Sequence, residues 1–304
     1  MADTLIENVS DTAFWIAHYR AVESARPDAL FRDPLAALLA GEQGKKIART
    51  MPMSFMTEWV VAIRTHIIDD YIRTAIAEGI DTVVNLGAGL DTRPYRMDLP
   101  EALQWIEVDY PRMIEFKERR LAGEVPRCKL ERVAVDLADR ASRQRLLADV
   151  DSRSKKLLIL TEGVVTYLSV DEAGTLADDL KATQHVYRWI VDYLSPYAMK
   201  WRQRGKFAQK TKNAPFKFKP ADWFAFFLEH GWCVKEMRYL AEEGDRLKRR
   251  AQPPFLLKAV LSVRMLFLSK KRRAELKKLA GYALLEPVSA TAPLQWQPVA
   301  AEGG

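Results

Sequence analysis

Apolar positions recur every three or four residues through the first eighty residues and then give way to short unbroken runs. Phe14, Ala17, His18, Ala21 and Val22 keep helical spacing, and Asp33-Pro34 opens a second short helix, Pro being suited to a first turn. Residues 56–78 carry Trp59, Val60, Ile63, Ile67, Tyr71, Ala75 and Ile76 in a three-four pattern that stops at Gly79. Beyond residue 80, apolar and β-branched runs predict strands at 82–86, 105–109, 129–136, 157–161 and 187–194. Helices are predicted between them at 111–123, 142–150 and 170–183. Pro111 opens the first of these, and Ser169-Val170-Asp171-Glu172 reads as a capping box for the last. Five strands alternating with helices predict an α/β fold, a parallel sheet covered on both faces.

A basic helical insertion is expected at 195–218, a helix at 220–230, and further strands at 232–240 and 282–285. The run 253–269 is apolar, but it has only 17 residues and is broken by Lys258 and Arg264. It is too short and too charged to span a bilayer. A core or cover helix is the expectation there, with peripheral membrane contact the less favoured reading. Residues 287–304, rich in Ala, Pro, Gln and Gly, are expected to form a disordered tail. The predicted division is a helical segment at 1–80, a core at 81–286 and that tail.

The 304 residues, 48% of them hydrophobic, suffice for one large α/β domain with insertions or two small domains, and they exclude wholesale disorder. Cys128 and Cys233 form no CxxC pair, which argues against a zinc site or a disulfide framework. With an acidic start that lacks an apolar signal core, this predicts a cytoplasmic protein and no metal. The net charge of +7 is unevenly spread. Residues 200–219 hold eight bases and no acid, and residues 264–278 hold seven bases against Glu275, so the remainder is net acidic. Such clusters can meet nucleic acid, anionic lipid or an acidic substrate; solvated helix faces are the plainer reading.

Chemistry concentrates where Thr82-Val-Val-Asn-Leu86 empties into Gly87-Ala88-Gly89, with Asp91 and Arg93 directly after. A strand running into a glycine turn brings bare backbone to a small molecule at the carboxyl edge of a sheet. A dinucleotide fits poorly. The third glycine of GxGxxG is replaced by Thr92, Pro94 leaves no room for a crossover helix, and Asp91 sits where a phosphate would lie. S-adenosylmethionine carries no phosphate, and each of its parts asks for a different partner. The ribose diol asks for a carboxylate after the second strand, where Asp109 stands. The adenine asks for an acceptor and an N–H after the third, where Asp136 and Leu137 stand. The amino-acid head asks for an acid, met by Glu162 after the fourth, and a base, met by Arg64. Acids after three successive strands are hard to explain as packing, because Asp and Glu are rarely buried without a partner.

These residues resemble the leucine carboxyl methyltransferase family, which includes bacterial O-methyltransferases of polyketide pathways. The resemblance is carried by Asn85-Leu-Gly-Ala-Gly-Leu-Asp-Thr-Arg93, Trp105-Ile-Glu-Val-Asp-Tyr-Pro111, Val135-Asp-Leu137 and Thr161-Glu-Gly-Val-Val-Thr-Tyr-Leu168. It extends to Thr12 through Ser24, Leu30 through Pro34, and Ala62-Ile-Arg-Thr65, and it covers most of residues 10 to 240. It implies a seven-stranded Rossmann-like methyltransferase fold whose last strands form an antiparallel pair, with an N-terminal helical lid and a helical insertion after the fifth strand. It also implies S-adenosylmethionine contacts at Arg64, the turn of Gly87, Ala88, Gly89 and Asp91, and at Asp109, Asp136-Leu137 and Glu162. One branch methylates a protein C-terminal carboxylate; the bacterial-style N-terminus points to the branch that takes small metabolites.

A carboxylate acceptor is already ionised at neutral pH, whereas a phenol, with a reference pKa of ~10, benefits from a base. Asp192 and Tyr193 near the end of the fifth strand, and His18 and Tyr19 near the N-terminus, are the candidates, with Arg20 as a candidate partner for a substrate carboxylate. Tyr110 and Tyr167 are expected to pack against the cofactor. A nucleic-acid methyltransferase lacks its usual Asn/Asp-Pro-Pro-Tyr motif here, and a non-catalytic cofactor-binding module is the remaining alternative.

Overall fold

The computed structural model describes residues 6–255, 257–260 and 267–288. Three helices come first: α1 (Asp11–Ser24), α2 (Ala36–Thr50) and α3 (Ser54–Ala77). There follow β1 (Thr82–Leu86), α4 (Arg93–Arg96), β2 (Gln104–Asp109), α5 (Pro111–Arg120), β3 (Lys129–Ala134), α6 (Arg140–Ser152) and β4 (Leu157–Thr161). After a 3₁₀ turn at Val165–Tyr167 come α7 (Val170–Ala182), β5 (Val186–Leu194), α8 (Pro196–Arg202), α9 (Gly205–Lys210) and α10 (Trp223–Glu229). The described chain closes with β6 (Trp232–Tyr239), α11 (Leu240–Arg246), α12 (Lys270–Lys277) and β7 (Ala280–Pro287).

The seven strands form one sheet in the order β3-β2-β1-β4-β5-β7-β6. The first five run parallel, and β7 inserts antiparallel between β5 and β6. The order reverses between β1 and β4, which opens a crevice at their carboxyl ends. β1 and β4 are buried along their whole length, as central parallel strands require, whereas β3 lies at an edge and alternates between exposed and partly covered. On one face α6, α7 and α10 pack Leu146, Leu176 and Phe227 around Val84, Ile106 and Trp189. On the other, α3 packs Ile63 and Ile67 over Val83, Trp105 and Ile190. The connection between β1 and β2 holds only the four-residue α4, with Pro94 in its first turn. The capping box at Ser169 and Glu172 is formed.

The described part of 253–269 departs from the expected cover helix: Phe255 and Phe267 are more than four-fifths exposed, and Val260 is exposed as well. These residues therefore bury little on the core. The expected tail, apart from Pro287 and Val288, lies outside the described residues. Among the described residues, no helix is long and apolar enough to cross a membrane.

Candidate functional site

Parallel register levels the ends of the central strands, so the acids read from sequence arrive on one edge. Leu86 pairs with Val108 and Thr161 with Val191. Gly87, Asp109, Glu162 and Asp192 are each the next residue along. The glycine turn folds back on β2, the Val108 carbonyl accepting from the N–H groups of Gly87 (2.8 Å) and Ala88 (3.0 Å). Gly87 and Gly89 take φ of +70° and +50°. A Cβ on Gly87 would stand 2.5 Å from Val164 Cγ2, so a side chain is excluded by space as well as by backbone.

Asp109 is buried, and its two oxygens accept from Gly89 N–H (2.6 Å) and Tyr110 N–H (2.7 Å). Burial pushes its carboxyl up, against those two hydrogen bonds. Glu162 meets Arg64 Nη2 at 3.0 Å and Arg93 Nη1 at 2.9 Å. Burial also pushes the Glu162 carboxyl up, but Arg93 and Arg64 outweigh it and hold it below the usual carboxylate range. Arg93 further reaches Asp69 (2.7 Å) and Asp91 (2.8 Å), and Arg96 chelates Asp69 with both terminal nitrogens. Asp91 also accepts from Asn85 Nδ2 at 2.8 Å. Against the penalty of burial, Arg93 holds the Asp91 carboxyl well below its ordinary range. This lattice fixes Glu162 and Arg64 from behind. It was only partly legible: Arg93 was visible beside the turn, but Asp69 and Arg96 received no role. The available signal was an acid on an otherwise apolar stretch of α3.

One cavity of about 900 Å³ runs from the glycine turn to β5 and α8. That lies near the top of the ~300–1,000 Å³ range of small-molecule sites. Arg64, Gly87, Ala88, Gly89, Asp91, Asp109, Leu137, Glu162, Asp192 and Tyr193 all line it. Asp136 is exposed and does not. It caps its own turn, accepting from Ala138 N–H at 2.9 Å, while Val135, Leu137 and Ala138 provide the wall. His18 faces α2, where burial and then Lys45 and Arg49 lower its pKa, and it does not line the cavity. Tyr19 is buried against Trp15, also outside the cavity. Arg20 does line it, but its Nε is bonded to Asp33 (2.8 Å) and its Nη2 to the Leu90 carbonyl. Arg20 is thus a bolt between α1 and the glycine turn, which competes with holding a substrate carboxylate. Tyr193 packs its ring on Trp223 and Tyr239, on the opposite face of β5 from Asp192. Tyr110 and Tyr167 stand on the wall, Tyr167 edge-on to Phe216.

The residues present fit S-adenosylmethionine. Arg64 Nε is buried on the cavity wall with no hydrogen-bond partner among the described residues, a donor awaiting an acceptor. The turn at Gly87 has no room for a side chain, and no basic phosphate clamp lies in it. Among the described residues no group of three or more His, Cys, Asp or Glu could hold a metal. Strand order, glycine turn and acids at the strand ends define the class: an S-adenosylmethionine-dependent methyltransferase.

Comparison with known proteins identifies the family within that class. A model of the leucine carboxyl methyltransferase family matches residues 13–181, more than half of the chain, and the chain belongs to that family. A protein of Mycobacterium bovis named "Putative S-adenosyl-L-methionine-dependent methyltransferase" is 33% identical over 275 residues, covering 81% of this chain and 86% of its own. A likewise named protein of Mycobacteroides abscessus is 33% identical over 58% of this chain, the match spanning 62% of that protein. In fold, the chain is similar to a crystallised protein from Thermobifida fusca named "putative methyltransferase", with a TM-score of 0.55 and 15% identity, covering 94% of this chain and 97% of the other.

Proposed function

We propose that this chain is an O-methyltransferase acting on a carboxylate or phenolic hydroxyl of a small metabolite. The observation that carries this reading is a cavity of about 900 Å³ lined both by the glycine turn and by residues of α1, α3 and α8, roomy enough for a cofactor and a modest acceptor together. When bound, S-adenosylmethionine supplies a methyl group already activated by its sulfonium, so the protein's task is alignment and exclusion of water. Asp109 binds the ribose diol. Arg64 Nε takes the carboxylate of the amino-acid head, and Glu162 its ammonium. Leu137 N–H, between Val135 and Ala138, receives the adenine. Asp91 acts at one remove, by holding Arg93 against Glu162. Cys128 and Cys233 are both free thiols, in keeping with a reducing cytoplasm.

The description of the matched family favours one second acceptor, a leucine carboxyl group, which a protein C-terminus could present. Incubation of the purified chain with S-adenosylmethionine and a panel of phenols, small carboxylic acids and C-terminal peptides separates the readings. The expected result is acceptor-dependent formation of S-adenosylhomocysteine, one for each methylated small molecule. Turnover on peptides alone selects the second reading. Cofactor binding without turnover on any acceptor would leave a non-catalytic module.

A further inference from the structure

Asp192 is the least explained group in the chamber. It is 6% exposed, it lines the cavity, and neither of its oxygens makes a well-formed hydrogen bond among the described residues, its own backbone N–H and the Thr166 side chain exerting only a pull that burial outweighs. A buried carboxyl left without a donor is costly, so its place on a cavity wall points to a ligand that donates to it. Its surroundings are specific. Arg64 comes from α3, Glu162 from the segment after β4, Thr166 and Tyr167 from the 3₁₀ turn, Tyr282 from β7 and Arg202 from α8. Arg64 is committed to Glu162. Arg202 has no ion pair among the described residues and lies over the rings of Phe207 and Phe216, at 5.1 and 4.9 Å. The chamber thus offers one unsatisfied acceptor and one unpaired cation beside aromatic walls.

Where Asp192 is ionised, a carboxylate acceptor would satisfy Arg202 but would have nothing to donate to Asp192 and would be repelled by it, and where Asp192 is protonated it could hold such an acceptor but could not take a proton from one. A hydroxyl donates to Asp192, and once deprotonated it is stabilised by Arg202. We propose that Asp192 is the proton-accepting catalytic residue of a subsite for a neutral hydroxyl, a phenol or enol on a flat apolar body, in preference to a carboxylic acid. This rests on the O-methyltransferase reading and narrows its acceptor. The acceptor O–H bond breaks and its proton passes to an Asp192 oxygen. The electron pair left on the acceptor oxygen forms the new O–CH₃ bond, and the pair of the broken S–CH₃ bond stays on sulfur, which departs as a neutral thioether.

The test compares wild type and Asp192→Asn on matched phenols and carboxylic acids from pH 5 to 9, with S-adenosylhomocysteine binding measured alongside. Phenols should be methylated and the matched acids not. Asp192→Asn should lower kcat/KM on phenols by roughly a hundredfold or more, with S-adenosylhomocysteine affinity within about twofold of wild type. The wild-type rate should climb through the neutral range to a plateau, because burial pushes the Asp192 carboxyl up to about 7. A nitrophenol already ionised at assay pH should restore the variant's rate. Equal turnover of phenols by both proteins, or methylation of the acids alone, would overturn the assignment of Asp192 and leave the O-methyltransferase standing. No turnover on either panel, despite S-adenosylhomocysteine binding, would overturn both.

Discussion

At Asp192 the site trades stability for chemistry. Its carboxyl shifts from an ordinary 3.8 to about 7 on burial, so between those values the folded chain holds a proton that the unfolded chain has released. Stability contributed by that proton is fully present below about pH 4 and is lost as pH rises toward 7, up to an upper bound of about 4 kcal/mol. Asp192→Asn should therefore melt higher than wild type at pH 8, with the difference vanishing near pH 4. Melts that differ by the same amount at both pH values would show that Asp192 is neutral, or satisfied, throughout. The acids under the glycine turn have the opposite sign. Arg93 and its neighbours hold Asp91 and Glu162 below their usual range, so their contribution is present at neutral pH and lost on acidification.

Among the elements, α1 and α2 are tied to the sheet edge by a few buried polar contacts. Arg20 joins Asp33 to the Leu90 carbonyl, Thr92 Oγ1 donates to Asp33 at 2.7 Å, and a Cβ on Gly89 would stand 3.3 Å from Ala13 Cβ. Breaking a buried pair of this kind costs ~3–5 kcal/mol. Arg20→Ala should speed hydrogen exchange in α1 and weaken S-adenosylhomocysteine binding, while amides of β1 and β4 stay protected. Equal loss of protection in sheet and cap would mean that Arg20 supports the whole fold and is no local bolt. The regular elements were legible because their patterns are local: β1 and β4 begin and end where the apolar runs do, and Pro94 shortens α4 as expected. The bonds of Arg20 were not legible because its partners, Asp33 and Leu90, lie 13 and 70 positions away. The run 253–269 misled in another way. Its apolar count matched a cover helix, but the exposed Phe255 and Phe267 show that composition alone does not choose the face that is buried.

For the molecule as a whole, the part of the cavity at the ends of the central strands was readable and the part lined by later segments was not. Parallel strands place every strand-end residue on one edge, so Gly87, Asp109 and Glu162 could be assembled from order alone. The later-segment part draws Arg202, Tyr282, Thr166 and Asp192 from four separate segments, Tyr282 reaching Asp192 through antiparallel pairing and Thr166 through the packing of the 3₁₀ turn on β5. Asp136 is less fixed by strand-end logic: β3 is an edge strand, and the acid two residues past its end is exposed, caps its own turn and meets Tyr110 on the cavity wall. The central claim is that the glycine turn and Asp109 hold S-adenosylmethionine. Calorimetric titration of S-adenosylhomocysteine into wild type and Asp109→Ala tests it most directly. The expected result is a one-to-one complex with wild type and at least a tenfold loss of affinity in the variant, about 1.4 kcal/mol, with near-ultraviolet circular dichroism unchanged. Equal affinity in the two proteins, or no binding to wild type, would contradict it.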